Sequence, residues 1–193
     1  MLTFHRTYID QVMIVETGKT IAACKLYNIY QGGERLARFY SGGNYSFAEF
    51  AEQKIRINTD NGIRRGEYHF VYNQYTKEQI GYFIIPVWRI HLADVPTKLR
   101  LADGQHYTWT ENTAHRSILK PITRSTYRFD FLSPHHSIVY YGKMIPNVSA
   151  NFVNPNQVFT GEIQTTNDQL LLPIVLGIYI MEEKFRSMEQ EIG

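Results

Sequence analysis

The chain has 193 residues, with 20 basic and 18 acidic side chains, a net charge of +2 and a single cysteine. That length suits one domain with a sizeable core, and the near-balanced charge gives no electrostatic ground for binding nucleic acid. Cys24 has no partner for an intrachain disulfide, so a reducing, cytoplasmic setting is expected.

Met1 to Asp10 holds no apolar run of signal-peptide length, and Val12-Met13-Ile14-Val15 is too short to serve as one. Neither a secretory leader nor a transmembrane segment is expected. Without a leader, the glycosylation patterns Asn44-Tyr45-Ser46 and Asn147-Val148-Ser149 carry no weight. Gln31-Gly32-Gly33-Glu34 then separates two strand-like runs, Thr20 to Ile29 and Arg35 to Tyr40. A short helix is expected over Phe47 to Lys54. Ser46 and Glu49 fit the S-x-x-E capping box, while Phe47, Phe50 and Ala51 give one apolar face, so this helix is expected outside the sheet.

Asp60-Asn61-Gly62 sits between Lys54–Asn58 and Gly66–Tyr75, and Asn-Gly is a strong hairpin signal. Tyr68 to Tyr75 and Gln79 to Trp88 read as a pair joined through Thr76-Lys77-Glu78. Asp103-Gly104 joins Leu99–Ala102 to Gln105–Trp109. Over Thr126 to Leu132 the residues alternate: Tyr127, Phe129 and Phe131 face one way, Arg128 and Asp130 the other. Ile138 to Met144 and Gln157 to Gln164 complete a series of roughly ten to twelve strands, the spacing of a sandwich or barrel. Pro146 to Asn156 reads as the longest loop.

The chain then changes character. Leu170-Leu171-Leu172-Pro173-Ile174-Val175-Leu176-Gly177-Ile178-Tyr179-Ile180-Met181 carries no charge. A helix apolar all round has no face for water, and at about 1.5 Å per residue this one falls well short of a ~30 Å hydrocarbon core. Burying each large aliphatic side chain yields ~1.5–3 kcal/mol against ~1–2 kcal/mol per residue for ordering the backbone, so full enclosure is needed to hold it. Thr166, Asn167 and Asp168 are natural caps, and Pro173 is tolerated in a first turn. Helix is expected from about Gln169 to Met188, leaving the barrel after Met181, where Glu182, Glu183, Lys184 and Arg186 turn it polar. The expected fold is therefore mainly β: a closed antiparallel barrel of roughly 10–12 strands around a central hydrophobic C-terminal helix, in one domain over 1–193.

A many-stranded chain ending in a Leu-rich buried helix, introduced by Asn167-Asp168-Gln169-Leu170-Leu171-Leu172, resembles the tubby C-terminal-like superfamily. That group joins tubby proteins, LURP-one-related proteins, phospholipid scramblases and small bacterial relatives. The hairpin Leu101-Ala102-Asp103-Gly104-Gln105-His106-Tyr107 resembles a recurrent one of the group, although the likeness is specific only over about Thr166 to Phe185. The resemblance implies a barrel of about twelve strands around its helix, and lipid binding of the kind tubby domains show toward phosphoinositide head groups. The chain lacks a scramblase's cysteine cluster, and no calcium site carries over.

Among polar candidates, Asn112 to Phe129 stands out for holding His115, Arg116, Lys120, Arg124 and Arg128 with no acid. Guanidinium forks match the paired oxygens of phosphate, so Arg116, Lys120, Arg124 and Arg128 form the candidate anion site. The same residues also read as ordinary solvated charges. Arg64-Arg65 is a weaker basic spot. The histidines show no ligand spacing: His135 and His136 point to opposite faces of a strand, and His69, His91 and His106 stand apart. Cys24 reads as a buried inert thiol, and no nucleophile elbow or phosphate loop occurs.

The leading expectation is a non-enzymatic binding module with no metal or cofactor. It would recognise an anionic phospholipid, a phosphorylated group or a protein partner through exterior basic residues, in the cytoplasm or at a membrane periphery. The rival is a small-molecule carrier or enzyme with an internal cavity, its helix packed outside as in a lipocalin-like architecture.

Overall fold

A computed structural model of the chain describes residues 1–14, 19–42, 45–60, 67–85, 97–111, 125–144, 159–167 and 170–192. Twelve strands precede one helix: β1 (Leu2–Ile14), β2 (Lys19–Gln31), β3 (Glu34–Gly42), β4 (Tyr45–Phe50), β5 (Gln53–Asp60), β6 (Glu67–Asn73), β7 (Gln79–Ile85), β8 (Thr97–Leu101), β9 (His106–Glu111), β10 (Ser125–Leu132), β11 (Ser137–Met144), β12 (Phe159–Thr165) and α1 (Leu171–Ile192). Each strand pairs antiparallel with its sequence neighbours, and β1 pairs with β12 to close the barrel. Closure leaves the twelve strands no free edge along the wall.

One end of the barrel is sealed by short turns. At Gly32-Gly33 both residues take positive φ, 58° and 90°, and Gly104 takes 87°, values that glycine reaches without a Cβ penalty. β12 ends at this end too, and α1 turns back from it through the interior, its first ladder bond running from the Ile174 N–H to the Leu170 carbonyl at 3.0 Å. The mutual pairing of β1 and β2 continues to Ile14 and Lys19; among the described residues, pairing with β12 runs to Arg6 and pairing with β3 to Lys25.

The interior is a single apolar core. Ile174, Val175, Leu176, Ile178 and Ile180 are wholly buried and Tyr179 nearly so. At 100° per residue these positions point in every direction, so the sheet surrounds the helix. Tyr179 meets Phe39 edge-on at 5.7 Å and Phe83 at 5.3 Å, while Trp109 stacks on Phe129 at 5.1 Å. The lipocalin-like alternative needs this helix outside the wall; it lies within.

Two expectations are corrected, and one strand was not foreseen. The helix expected at Phe47 to Lys54 is instead the β4–β5 hairpin, turning at Ala51 with φ 49°. Ala48 and Phe50 point into the core, Phe47 stacks outside on Tyr40 at 4.3 Å, and Glu49 meets Lys54 at 3.2 Å across the hairpin, so long-range pairing overrides the local cap signal. β1 is a strand that the alternation did not disclose, because its inward series Leu2, Phe4, Arg6 includes an arginine. The helix also does not leave the barrel after Met181, because Glu182 is completely buried. The Asn61-Gly62 turn, Arg64-Arg65 and Asp168 lie outside the described residues.

Gly177 is where the helix comes closest to the wall. A Cβ there would lie 2.0 Å from the Tyr140 hydroxyl oxygen, which donates to the Ile174 carbonyl at 2.8 Å. Gly177→Ala is expected to lower stability by ~1–3 kcal/mol in urea unfolding, although alanine is the better helix former, because overpacking outweighs propensity. Adding Tyr140→Phe should recover part of that loss; strictly additive effects would show that the two residues do not collide.

Candidate functional site

Of the expected anion site, Arg116, Lys120 and Arg124 lie outside the described residues. Arg128 is on the outward face of β10, exposed as its place in the alternation requires. Its Nε donates to Asp130 Oδ1 at 3.0 Å, and its guanidinium lies 5.7 Å over the ring of Tyr141, directly across on β11. The hydrogen bond and charge of Asp130 push the Arg128 pKa up, so the group stays a fixed cation.

The same device recurs around the wall. Arg56 on β5 lies 5.4 Å over its cross-strand partner Tyr72, and Arg100 on β8 lies 6.0 Å over its partner Tyr82. Lys54 sits 5.3 Å above the Phe47 ring. A guanidinium over a tyrosine ring gains a cation–π contact that helps to hold it in place. Among the described residues the outer sheet thus carries arginines placed over tyrosine rings, of which sequence reasoning singled out only Arg128.

Sequence reasoning missed a second polar constellation, where the buried helix nears its exit. Lys25 Nζ reaches Glu182 Oε1 at 2.7 Å, Arg6 Nη1 lies 3.4 Å from Oε2, and the Tyr27 hydroxyl donates to the same oxygen. Arg6, Tyr27 and Glu182 are buried, while Lys25 keeps partial exposure. Burial drives the Tyr27 pKa far up, reinforced by the Glu182 charge and opposed by Arg6. The signals were present: Arg6 follows Leu2 and Phe4 in period two, Lys25 precedes Tyr27 and Ile29 in the same way, and one acid ends the apolar run. The arrangement anchors the helix electrostatically, and its carboxylate is closed to a substrate.

Deeper in, His69 Nδ1 lies 2.8 Å from the Tyr179 hydroxyl and 3.3 Å from Thr59 Oγ1, with its ring stacked on Phe83 at 4.8 Å. Its Nε2 stands 3.8 Å from Glu67 Oε2. This buried histidine is packed and hydrogen-bonded within the core. No group of three or more His, Cys, Asp or Glu side chains suited to a metal ion occurs among the described residues.

Cys24 is buried beside Tyr40 and Phe47 in a small second apolar cluster. Burial pushes its thiol up to about 11; a hydrogen bond from the Ser41 backbone opposes the rise and the Glu182 charge adds to it. The thiol is therefore a poor nucleophile at neutral pH. In the unfolded chain it titrates near 9.0, so between about pH 9 and 11 the unfolded state loses a proton that the native state keeps. Stability should fall as pH rises through that window. Urea midpoints measured from pH 8 to 11 should decline less steeply for Cys24→Ala, and identical slopes would contradict this assignment.

The fold and these sites define a closed twelve-stranded antiparallel barrel with a helix through its core and arginines over tyrosine rings on its outer wall. No family model matches the sequence, and neither a curated protein nor a solved structure matches the chain. No helix among the described residues is long and apolar enough to cross a membrane.

Proposed function

We propose that the chain is a non-enzymatic binding module recognising an anionic head group, phospholipid or phosphorylated, on the outside of its barrel. The observation that carries this reading is the complete enclosure of Ile174 to Glu182, which gives the barrel's centre to the helix rather than to a ligand. Recognition then falls to the wall. There Arg56, Arg100 and Arg128 lie over tyrosine rings; Arg116, Lys120 and Arg124, outside the described residues, come between β9 and β10 in the sequence. Fixed guanidinium groups suit phosphate oxygens. The likeness to the tubby-like group rests on this architecture and on the segment around Asn167 to Leu172, and it adds a lipid surface as the natural bearer of the head group.

The test is vesicle co-sedimentation. Binding to phosphatidylserine- or phosphoinositide-containing vesicles should exceed binding to neutral phosphatidylcholine vesicles and should weaken as salt rises. The combined variant Arg116→Ala, Lys120→Ala, Arg124→Ala, Arg128→Ala should lose most of it. Arg128→Ala alone should leave the melting temperature unchanged, because its ion pair is solvent-exposed. Equal binding to both vesicle types, or none to either, would refute the proposal.

A further inference from the structure

Over β5 to β8 the outer wall carries rings. Ile55, Ile57, Val71, Phe83, Leu99 and Leu101 point into the core, so the residues that alternate with them point outward. Register sets these outward residues side by side. Asn58, Phe70, Tyr82 and Arg100 stand opposite one another on successive strands; Asp60, Tyr68, Ile84 and Lys98 form the next row, and Arg56 faces Tyr72. Neighbouring strands lie about 4.8 Å apart, so the rows run roughly 14 Å across the wall.

The rings are half-buried: Tyr68, Phe70, Tyr72 and Tyr82, with Ile84 beside them, each keep part of their surface in water. Tyr68 stacks on Phe70 with the ring centroids 6.4 Å apart. Aromatic side chains suit a strand, and cross-strand packing accounts for their bodies. It does not use their tips, for among the described residues the hydroxyls of Tyr68, Tyr72 and Tyr82 make no hydrogen bond. Contiguous apolar bodies with free polar tips are the composition of a surface that meets the boundary between water and lipid.

The charges favour one occupant. Arg56, Lys98 and Arg100 take part in no ion pair among the described residues, and they flank the rings against one carboxylate in these rows, that of Asp60. An anionic surface complements that balance. The wall offers an extended peptide no strand edge to pair with, because the twelve strands close on themselves. A bilayer needs no edge: its phosphates meet the guanidinium and ammonium groups while the ring bodies sit at head-group depth. We infer that the β5–β8 face is where the protein seats on an anionic bilayer. This rests on the lipid reading under Proposed function and adds the face that touches the membrane.

Two measurements on the full chain test it. In a Cys24→Ala background, an environment-sensitive dye is attached at Ile84→Cys on β7 or at Thr3→Cys on β1, six strands round the barrel. Phosphatidylserine-containing vesicles should shift the dye emission to the blue at Ile84→Cys and leave it unmoved at Thr3→Cys. In co-sedimentation with the same vesicles, the combined variant Tyr68→Ser, Phe70→Ser, Tyr82→Ser should bind about tenfold more weakly than the parent. A dye shift at Thr3→Cys alone, parent-like vesicle binding by the triple variant, or binding of soluble inositol 1,4,5-trisphosphate as tight as that of vesicles would overturn the inference and leave the head-group reading standing. No binding of the parent chain to anionic vesicles or to inositol 1,4,5-trisphosphate would overturn both.

Discussion

Leu176→Asp is expected to abolish the folded state. Leu176 is wholly buried at the middle of the enclosed helix, among Val175, Ile178 and Ile180 and within the sheet. Truncating such a leucine costs ~2–5 kcal/mol through lost burial and the cavity left behind. A carboxylate in its place finds no cation among these side chains. It must either lose its hydration or take up a proton, and taking up a proton at neutral pH against an ordinary pKa of about 3.9 costs about 4 kcal/mol. Together these reach the ~5–15 kcal/mol that holds a typical domain together. Circular dichroism should show no cooperative thermal transition for Leu176→Asp, whereas the volume-conserving Leu176→Met should stay within ~1.5 kcal/mol of the parent. A Leu176→Asp chain that melts like the parent would place this residue at a surface.

The second large effect belongs to Glu182. Its carboxylate faces two cations and a phenol, all brought to one place by the helix exit and by β1 and β2. Glu182→Ala removes the carboxylate that the buried Arg6 faces, and breaking one side of a buried ion pair costs ~3–5 kcal/mol. Lys25 is partly exposed and its long stem can carry the ammonium to water, so Arg6 and Tyr27 bear most of the loss. Replacing both charges, Glu182→Met with Arg6→Met, should cost far less than Glu182→Ala alone, because desolvation then disappears from both partners. Urea unfolding of the parent, Glu182→Ala, the single variants Glu182→Met and Arg6→Met, and the double variant gives the ordering. A double variant as unstable as the sum of its single changes would mean that Glu182 and Arg6 do not act as a pair.

How much of this was legible in the sequence depends on how local each signal is. Thr126 to Leu132 announced its pleat because apolar and charged residues alternate without a break, and Phe129 and Phe131 are indeed inward while Arg128 is exposed. The central helix was legible because a run without a polar stripe has one physical solution. Ser46 and Glu49 misled because a capping box is a local preference, whereas β4 is set by pairing with Tyr40 and Ile55 on either side. Arg6 and Glu182 were hidden for a related reason. An inward charge looks like an error in the pattern until its partner, 176 residues away, is known. The opposition of Gly142 and Gly161 lay further beyond sequence reasoning, since it is a fact of register. The exterior Arg–Tyr pairs are also register facts, and Arg128 could be singled out only for its charge.

Native-state hydrogen exchange across α1 tests the account most directly. If the barrel wraps the helix, the amides of Ile174 to Glu182 can exchange only when the whole domain unfolds, and their protection should match the global stability measured by urea. Exchange of those amides within minutes at neutral pH, while the strand amides of β5 to β8 stay protected, would show that the segment lies outside the sheet and would contradict the central claim.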